Sequence, residues 1–214
     1  MQTQIANEAN PESLPSGGKS GQGNSLKGRD LNNSEADRFV RSAIKLMREK
    51  GYHQTTFDDI AEDICVSVKE ISDCFKSRED ICLQVIAWHD ARLSEIFVRT
   101  EEHSNPRQRL SCLIDSLIDE ADVLVKYGCP ITRLYLDLRN EGSKLEKAAT
   151  KLIIRRLDWI KEQFHLMSFV DEAPDLATRL AGALYGVTLL SSAADDEAML
   201  RNQMNQLKSW IRSM

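Results

Sequence analysis

Thiols are the most reactive groups in this chain, and their placement limits what they do. The five cysteines, Cys65, Cys74, Cys82, Cys112 and Cys129, never fall in a Cys-x-x-Cys pair. Their odd number and scatter fit a reducing compartment, with the thiols packed as small hydrophobes. Cys129 differs in context: within Gly128-Cys129-Pro130 it sits at a helix junction, and a helix N-terminus lowers a thiol's pKa. That makes it a sensor candidate, set against the commoner fate of a buried packing thiol. His53, His89, His103 and His165 are dispersed and lack the i, i+4 spacing of a helical metal pair, so neither a metal nor another cofactor is expected. There is no glycine-rich phosphate loop and no nucleophile elbow. Asp115, Asp119, Glu120 and Asp122 recur at helical spacing, the pattern of a solvated face. The chain does not read as an enzyme.

The elements that hold these residues are helices. Five prolines and ten glycines among 214 residues are too few for a turn-rich β-architecture, and 42% hydrophobic residues supply a real core. No apolar run reaches the roughly 18 residues of a membrane span. The N-terminus has no apolar leader segment, so a cytoplasmic protein is expected, with no membrane partner. A net charge of −5 excludes a protein that coats nucleic acid nonspecifically, though not one with a local contact surface.

Residues 1–33 are rich in Gly, Ser, Asn and Gln and read as a disordered arm. Its Lys19, Lys27 and Arg29 allow an alternative reading as a basic arm reaching a minor groove. Order is expected from Ser34, an N-cap followed by an acid at Asp37, with Phe39, Val40, Ala43, Ile44 and Met47 at helical spacing and Gly51 as the stop. Three more starts have the same form: Thr56 with Asp59, Ser67 with Glu70, and Ser77 with Asp80. Two short helices beginning at Thr56 and Ser67, after a longer first one, form a helix-turn-helix pattern. The fourth helix runs from Ser77 towards Val98. Five more are expected: from Pro106 to Gly128, from about Ile131 to Asn140, from Lys144 to Met167, from Pro174 onward, and from about Asp196 to Arg212.

The stretch Ala43 to Leu83 resembles the DNA-binding domain of the TetR family. The resemblance rests on Glu49-Lys50-Gly51-Tyr52, Thr55-Thr56-Phe57-Asp58-Asp59-Ile60-Ala61, Val66-Ser67 and Phe75-Lys76-Ser77-Arg78-Glu79. Further on, Tyr127-Gly128-Cys129-Pro130 and Trp159 before Phe164 are similar to one subgroup of that family. The resemblance implies an all-α chain in three parts. These are the arm (1–33), a three-helix helix-turn-helix domain (34–80), and a six-helix ligand-binding and dimerisation domain (81–214). It further implies a homodimer, probing a palindromic double-stranded operator and releasing it when a small-molecule effector binds, in the manner of a repressor.

Carried over by position, Thr56 is a phosphate contact and Ser67 and Lys69 open the recognition helix. Glu70, Ser72, Asp73 and Lys76 lie on or beside its contact face, and Arg78 stands at a basic phosphate-binding position. The effector pocket falls among the later helices, with Leu113, Leu117, Cys129, Tyr135, Trp159, Phe164 and Tyr185 as candidate lining; ordinary core is the other reading for each. The last two long helices, with Ala177, Ala181, Gly182, Ala183 and Gly186, are the expected dimer face.

The departures from the family pattern lie at the contact positions. Cys65 replaces the turn glycine, and a residue with a Cβ is strained there by about 1 kcal/mol if φ stays positive. Ser72 stands where a tyrosine normally reaches phosphate, and Glu70 and Asp73 add negative charge. From Ser34 to Asp90 there are eight lysines and arginines against twelve acids, four more negative than positive. Few cations mean few released counterions and weak binding at physiological salt. Two alternatives therefore stay open: an adaptor on the same scaffold that works through a protein partner, and a thiol sensor acting through Cys129.

Overall fold

The computed structural model describes residues 35–139 and 142–214. The readings made for the 1–33 arm, the Ser34 cap and the Asn140 helix end lie outside these residues. Every regular element described is an α-helix: α1 Glu35–Lys50, α2 Phe57–Ile64, α3 Val68–Cys74, α4 Arg78–Glu101, α5 Pro106–Ile118, α6 Ala121–Tyr127, α7 Pro130–Leu138, α8 Lys144–Leu166, α9 Ala173–Ala194 and α10 Glu197–Ser213. None is long and apolar enough to cross a membrane.

The capping chemistry legible in the sequence sets the helix starts. Thr56, Ser67 and Ser77 are N-caps whose hydroxyls accept from the backbone N–H of Asp59, Glu70 and Asp80. Asn105 caps α5, whose first residue is Pro106, and Asp196 caps α10. Such caps satisfy N–H groups that have no partner inside the helix, each contributing about 1 kcal/mol.

One expected helix is interrupted. The segment from Pro106 to Gly128 forms α5 and α6, separated at Asp119 and Glu120. The apolar period hides the break, because Leu113, Ile114, Leu117, Ala121, Leu124 and Val125 are buried on both sides of it. Charge accounts for it. Two adjacent acids are unfavourable at the negative C-terminal end of α5 and favourable at the N-terminus of α6. The Glu120 carboxylate is also drawn sideways to Arg92 of α4, at 2.5 Å.

Two hydrophobic cores meet along α4 and α8. The first joins Phe39 and Met47 of α1, Ile60 of α2, Ile71 of α3 and Ile81 and Val85 of α4 to Ile131, Leu134 and Leu138 of α7 and Leu145 and Leu152 of α8. The second joins Leu93 and Phe97 at the far end of α4 to α5, α6, α9, α10 and the C-terminal half of α8. The N-terminal helices are thus sealed by α7 and the start of α8. Each fully buried Ile or Leu there contributes about 2 kcal/mol. Ile71 is the single buried residue of α3, so one side chain anchors that helix to the first core.

Candidate nucleic-acid interface and inner cavity

α2 and α3 are joined by a tight turn through Cys65, which adopts the left-handed conformation at φ 54° and ψ 53°. The Val66 N–H reaches back to the Ala61 carbonyl at 3.0 Å, closing the end of α2. The family's glycine position keeps its geometry without its glycine, and the strain expected from the sequence is present. The turn places the capped N-terminus of α3 outward, with Ser67, Lys69, Glu70, Ser72, Asp73 and Cys74 all exposed.

The two capping boxes decide which groups are free to meet a phosphate. The Ser67 hydroxyl donates to Glu70 Oε2 at 2.7 Å, and the same oxygen accepts the Ser67 backbone N–H at 2.8 Å. The Thr56 hydroxyl and backbone N–H donate in the same way to Asp59 Oδ2, each at 2.7 Å. A hydroxyl has one proton, and in both boxes an acid holds it. Hydrogen bonds from Ser67 lower the Glu70 pKa, with Arg38 adding a smaller attraction. Asp59, bonded to Lys50 and then to Thr56, is held at about 2. Both acids are therefore ionised at neutral pH, and their charge is spent on the helix starts.

The cations divide into engaged and exposed. Lys45 is paired with Asp63, and Lys50 with Asp59. Arg78, at the start of α4, donates from Nη1 to the His53 carbonyl at 3.0 Å and lies over the Tyr52 ring at 4.5 Å. It anchors the loop between α1 and α2. Lys69 and Lys76 are exposed. Ser72 donates its hydroxyl to the Lys69 carbonyl at 2.9 Å, a contact within its own helix.

The pocket candidates do not converge on one space. Leu113 and Phe164 are fully buried in the second core, and Trp159 stacks on Phe97 with ring centres 4.6 Å apart. Tyr135 packs against the first core. Leu117 and Cys129 do share a cavity of about 50 Å³, bordered by residues of α4, α5, α6, α7 and α8, whose wall also carries His89 and Arg156. Tyr185 stands behind that wall, its ring 5.6 Å from the Arg156 guanidinium. His89 and Arg156 were not singled out for this site from the sequence. Each is one polar residue on an apolar helical face, a pattern that period alone passes over. A wider open groove of about 470 Å³ runs outside, between Arg41, Ile44 and Arg48 of α1, Trp88 of α4 and Tyr127 of α6.

Residues 39–85 match the family described as "Bacterial regulatory proteins, tetR family". An uncharacterized HTH-type transcriptional regulator from Lactococcus lactis subsp. lactis is 23% identical over 181 residues, covering 81% of this chain and 91% of that protein. Among solved structures, a TetR transcriptional regulator from Legionella pneumophila superposes with a TM-score of 0.72 at 20% identity, covering 85% of this chain and 97% of the other. Another from Chloroflexus aurantiacus gives 0.70 at 19% identity, covering 83% and 93%. These likenesses establish a shared fold, and the matched segment spans all of α2 and α3, most of α1 and the start of α4.

Proposed function

We propose that this chain, whose residues 39–85 match the tetR family of bacterial regulatory proteins, is a DNA-binding transcriptional regulator acting as a homodimeric repressor, which releases a palindromic operator when a small molecule enters its C-terminal body. The observation that carries this reading is the pair of reciprocally capped helices joined through Cys65, which presents the exposed start of α3 outward. In a two-fold dimer, two such helices enter major grooves about 34 Å apart.

Within this reading, residues 34–80 bind DNA and 81–214 form the effector and dimer body. Lys69, Lys76 and Arg78 neutralise phosphates. Thr56 and Ser67 act mainly by fixing helix N-termini whose backbone N–H groups face the phosphate. Ser72 and Asp73 meet base edges, where an acid accepts a hydrogen bond from cytosine N4. Glu70 serves as the cap partner of Ser67. The dimer forms through α9 and α10: Leu189 and Leu190 are 69% and 63% exposed, and a Cβ built on Gly182 or Gly186 meets nothing within 4 Å. Two helices from each copy then make a four-helix bundle.

A second reading, an adaptor acting through a protein partner, is favoured by one observation: Glu70 and Asp73 on the exposed face of α3. One experiment separates the two. Purified protein is used to select fragments from its own genome, and the selected fragments are footprinted. A protected inverted repeat supports the repressor; no protection anywhere, even in dilute salt, overturns it in favour of the adaptor.

A further inference from the structure

The inner cavity has an electrostatic feature that an ordinary core lacks. Arg156 of α8 is 6% exposed and lines the cavity, yet its Nε has no hydrogen-bond partner among the described residues. The one acid on the cavity wall, Glu120, is already bonded to Arg92. Tyr185, whose ring lies 5.6 Å from the Arg156 guanidinium, stays a neutral phenol because burial raises its pKa, so it supplies no counter-ion. His89, on the same wall, is held neutral by burial, helped by the charges of Arg48, Arg156 and Arg92, with its pKa near 4. A buried guanidinium facing no carboxylate is costly, and cores rarely keep one unless something else completes it.

The cavity also has an approach. An outer cleft of about 160 Å³ is bordered by Arg92, Arg99 and the Asp119–Glu120 break between α5 and α6. It shares Arg92, Ile96, Ser116 and Glu120 with the inner cavity. The Arg92–Glu120 pair thus borders both spaces. Leu93, Ile96, Leu117, Leu124 and Ile131 make the remaining wall apolar.

We infer that the effector is a small organic monoacid: its carboxylate pairs with Arg156, and its apolar body lies against Leu93, Leu117 and Ile131. This inference rests on the effector reading above and gives it a ligand class. A carboxylate matches the planar guanidinium, whereas a neutral ligand leaves the charge uncompensated. Both spaces are smaller than the roughly 300 Å³ of a drug-sized site, which sets the ligand small.

The test uses the full chain, titrated calorimetrically with propanoate and butanoate and with propanamide and butanamide as uncharged counterparts. The inference expects at least one acid to bind, with its amide about 100-fold weaker, the scale of leaving a buried charge unpaired. Arg156→Met should weaken the acid by a similar factor and melt no lower than the parent without ligand. Arg156→Lys should retain most of the preference for acid. Equal binding of acid and amide, no binding by either acid, or undiminished acid binding by Arg156→Met overturns the inference. Should Arg156→Met fail to fold, the acid-to-amide ratio of the parent and of Arg156→Lys decides alone. Acid binding that leaves operator affinity unchanged upholds the site and overturns the effector reading. Release of DNA by neutral molecules, equal in Arg156→Met, does the reverse.

Discussion

The backbone N–H of Tyr52 donates to a carboxylate oxygen of Asp137 across 2.8 Å, tying the loop between α1 and α2 to α7. His53 Nε2 donates to the carbonyl of the same aspartate at 2.6 Å, and the His53 carbonyl in turn accepts from Arg78. One acid of the C-terminal body thus holds the loop that leads into the helix-turn-helix. Gly51 makes the approach possible: its φ is +89°, and a Cβ there would sit 2.8 Å from Asp137 Oδ2.

Asp137→Ala should therefore cost about 1–3 kcal/mol of stability, the worth of a hydrogen bond to a charged group. It should also blunt any effector-driven loss of DNA affinity. Urea unfolding reads the first effect, and DNA titration with and without effector reads the second. An undiminished effector response would show that coupling between the two regions runs elsewhere.

At Cys65 the expected change is a gain. Glycine adopts φ 54° without a Cβ penalty, so Cys65→Gly should stabilise by about 1 kcal/mol, or about 2–4 °C in melting temperature for a chain of this size. Calorimetry showing no rise would mean that the thiol contributes compensating contacts.

Lys69 and Arg78 should differ in kind. Lys69 is exposed, so Lys69→Ala should leave the melting temperature unchanged and reduce the slope of log affinity against log salt by about one. Arg78→Ala should lower both affinity and stability, because its guanidinium also holds the His53 carbonyl and the Tyr52 ring. An unaltered salt slope for Lys69→Ala removes that residue from the phosphate contacts.

His89 sets an acid limit on the fold. Its folded pKa, depressed to about 4 from 6.5, means that the unfolded chain takes up the proton first as pH falls. Its contribution is complete above about pH 6.5 and declines through pH 4, by up to about 3 kcal/mol in all. Unfolding curves at pH 7, 5.5 and 4.5 should show this decline, and His89→Gln should flatten it.

The proposed dimer face is open to direct attack. Replacing Leu189 and Leu190 by glutamate puts like charges where two copies of α9 would meet. Sedimentation should then report a monomer, and DNA affinity should fall with loss of the second half-site. A variant that remains dimeric moves the interface off α9.

The helix starts were legible because they are local. Thr56, Ser67 and Ser77 each carry their capping partner three residues on, and the apolar spacing of α1, α8 and α9 is periodic over several turns. The break at Asp119–Glu120 was not legible, because the apolar face continues through it and the charge that pairs with Glu120, Arg92, comes from another helix. The pocket candidates met a similar limit. Aromatic and aliphatic residues on apolar faces can point to core or to cavity, and only Leu117 and Cys129 of the seven border the cavity that carries Arg156.

By itself the sequence determined the helical class, the capped helix-turn-helix, and the strain awaiting any side chain at position 65, since each depends on neighbours a few residues apart. Tertiary structure alone decided that Arg78 anchors a loop, that Asp137 reaches Tyr52, and that Arg156 lies buried without a counter-charge among the described residues. Those facts depend on which helices come to rest against one another, and a charged side chain has the same sequence signature whether it meets water, an acid or nothing.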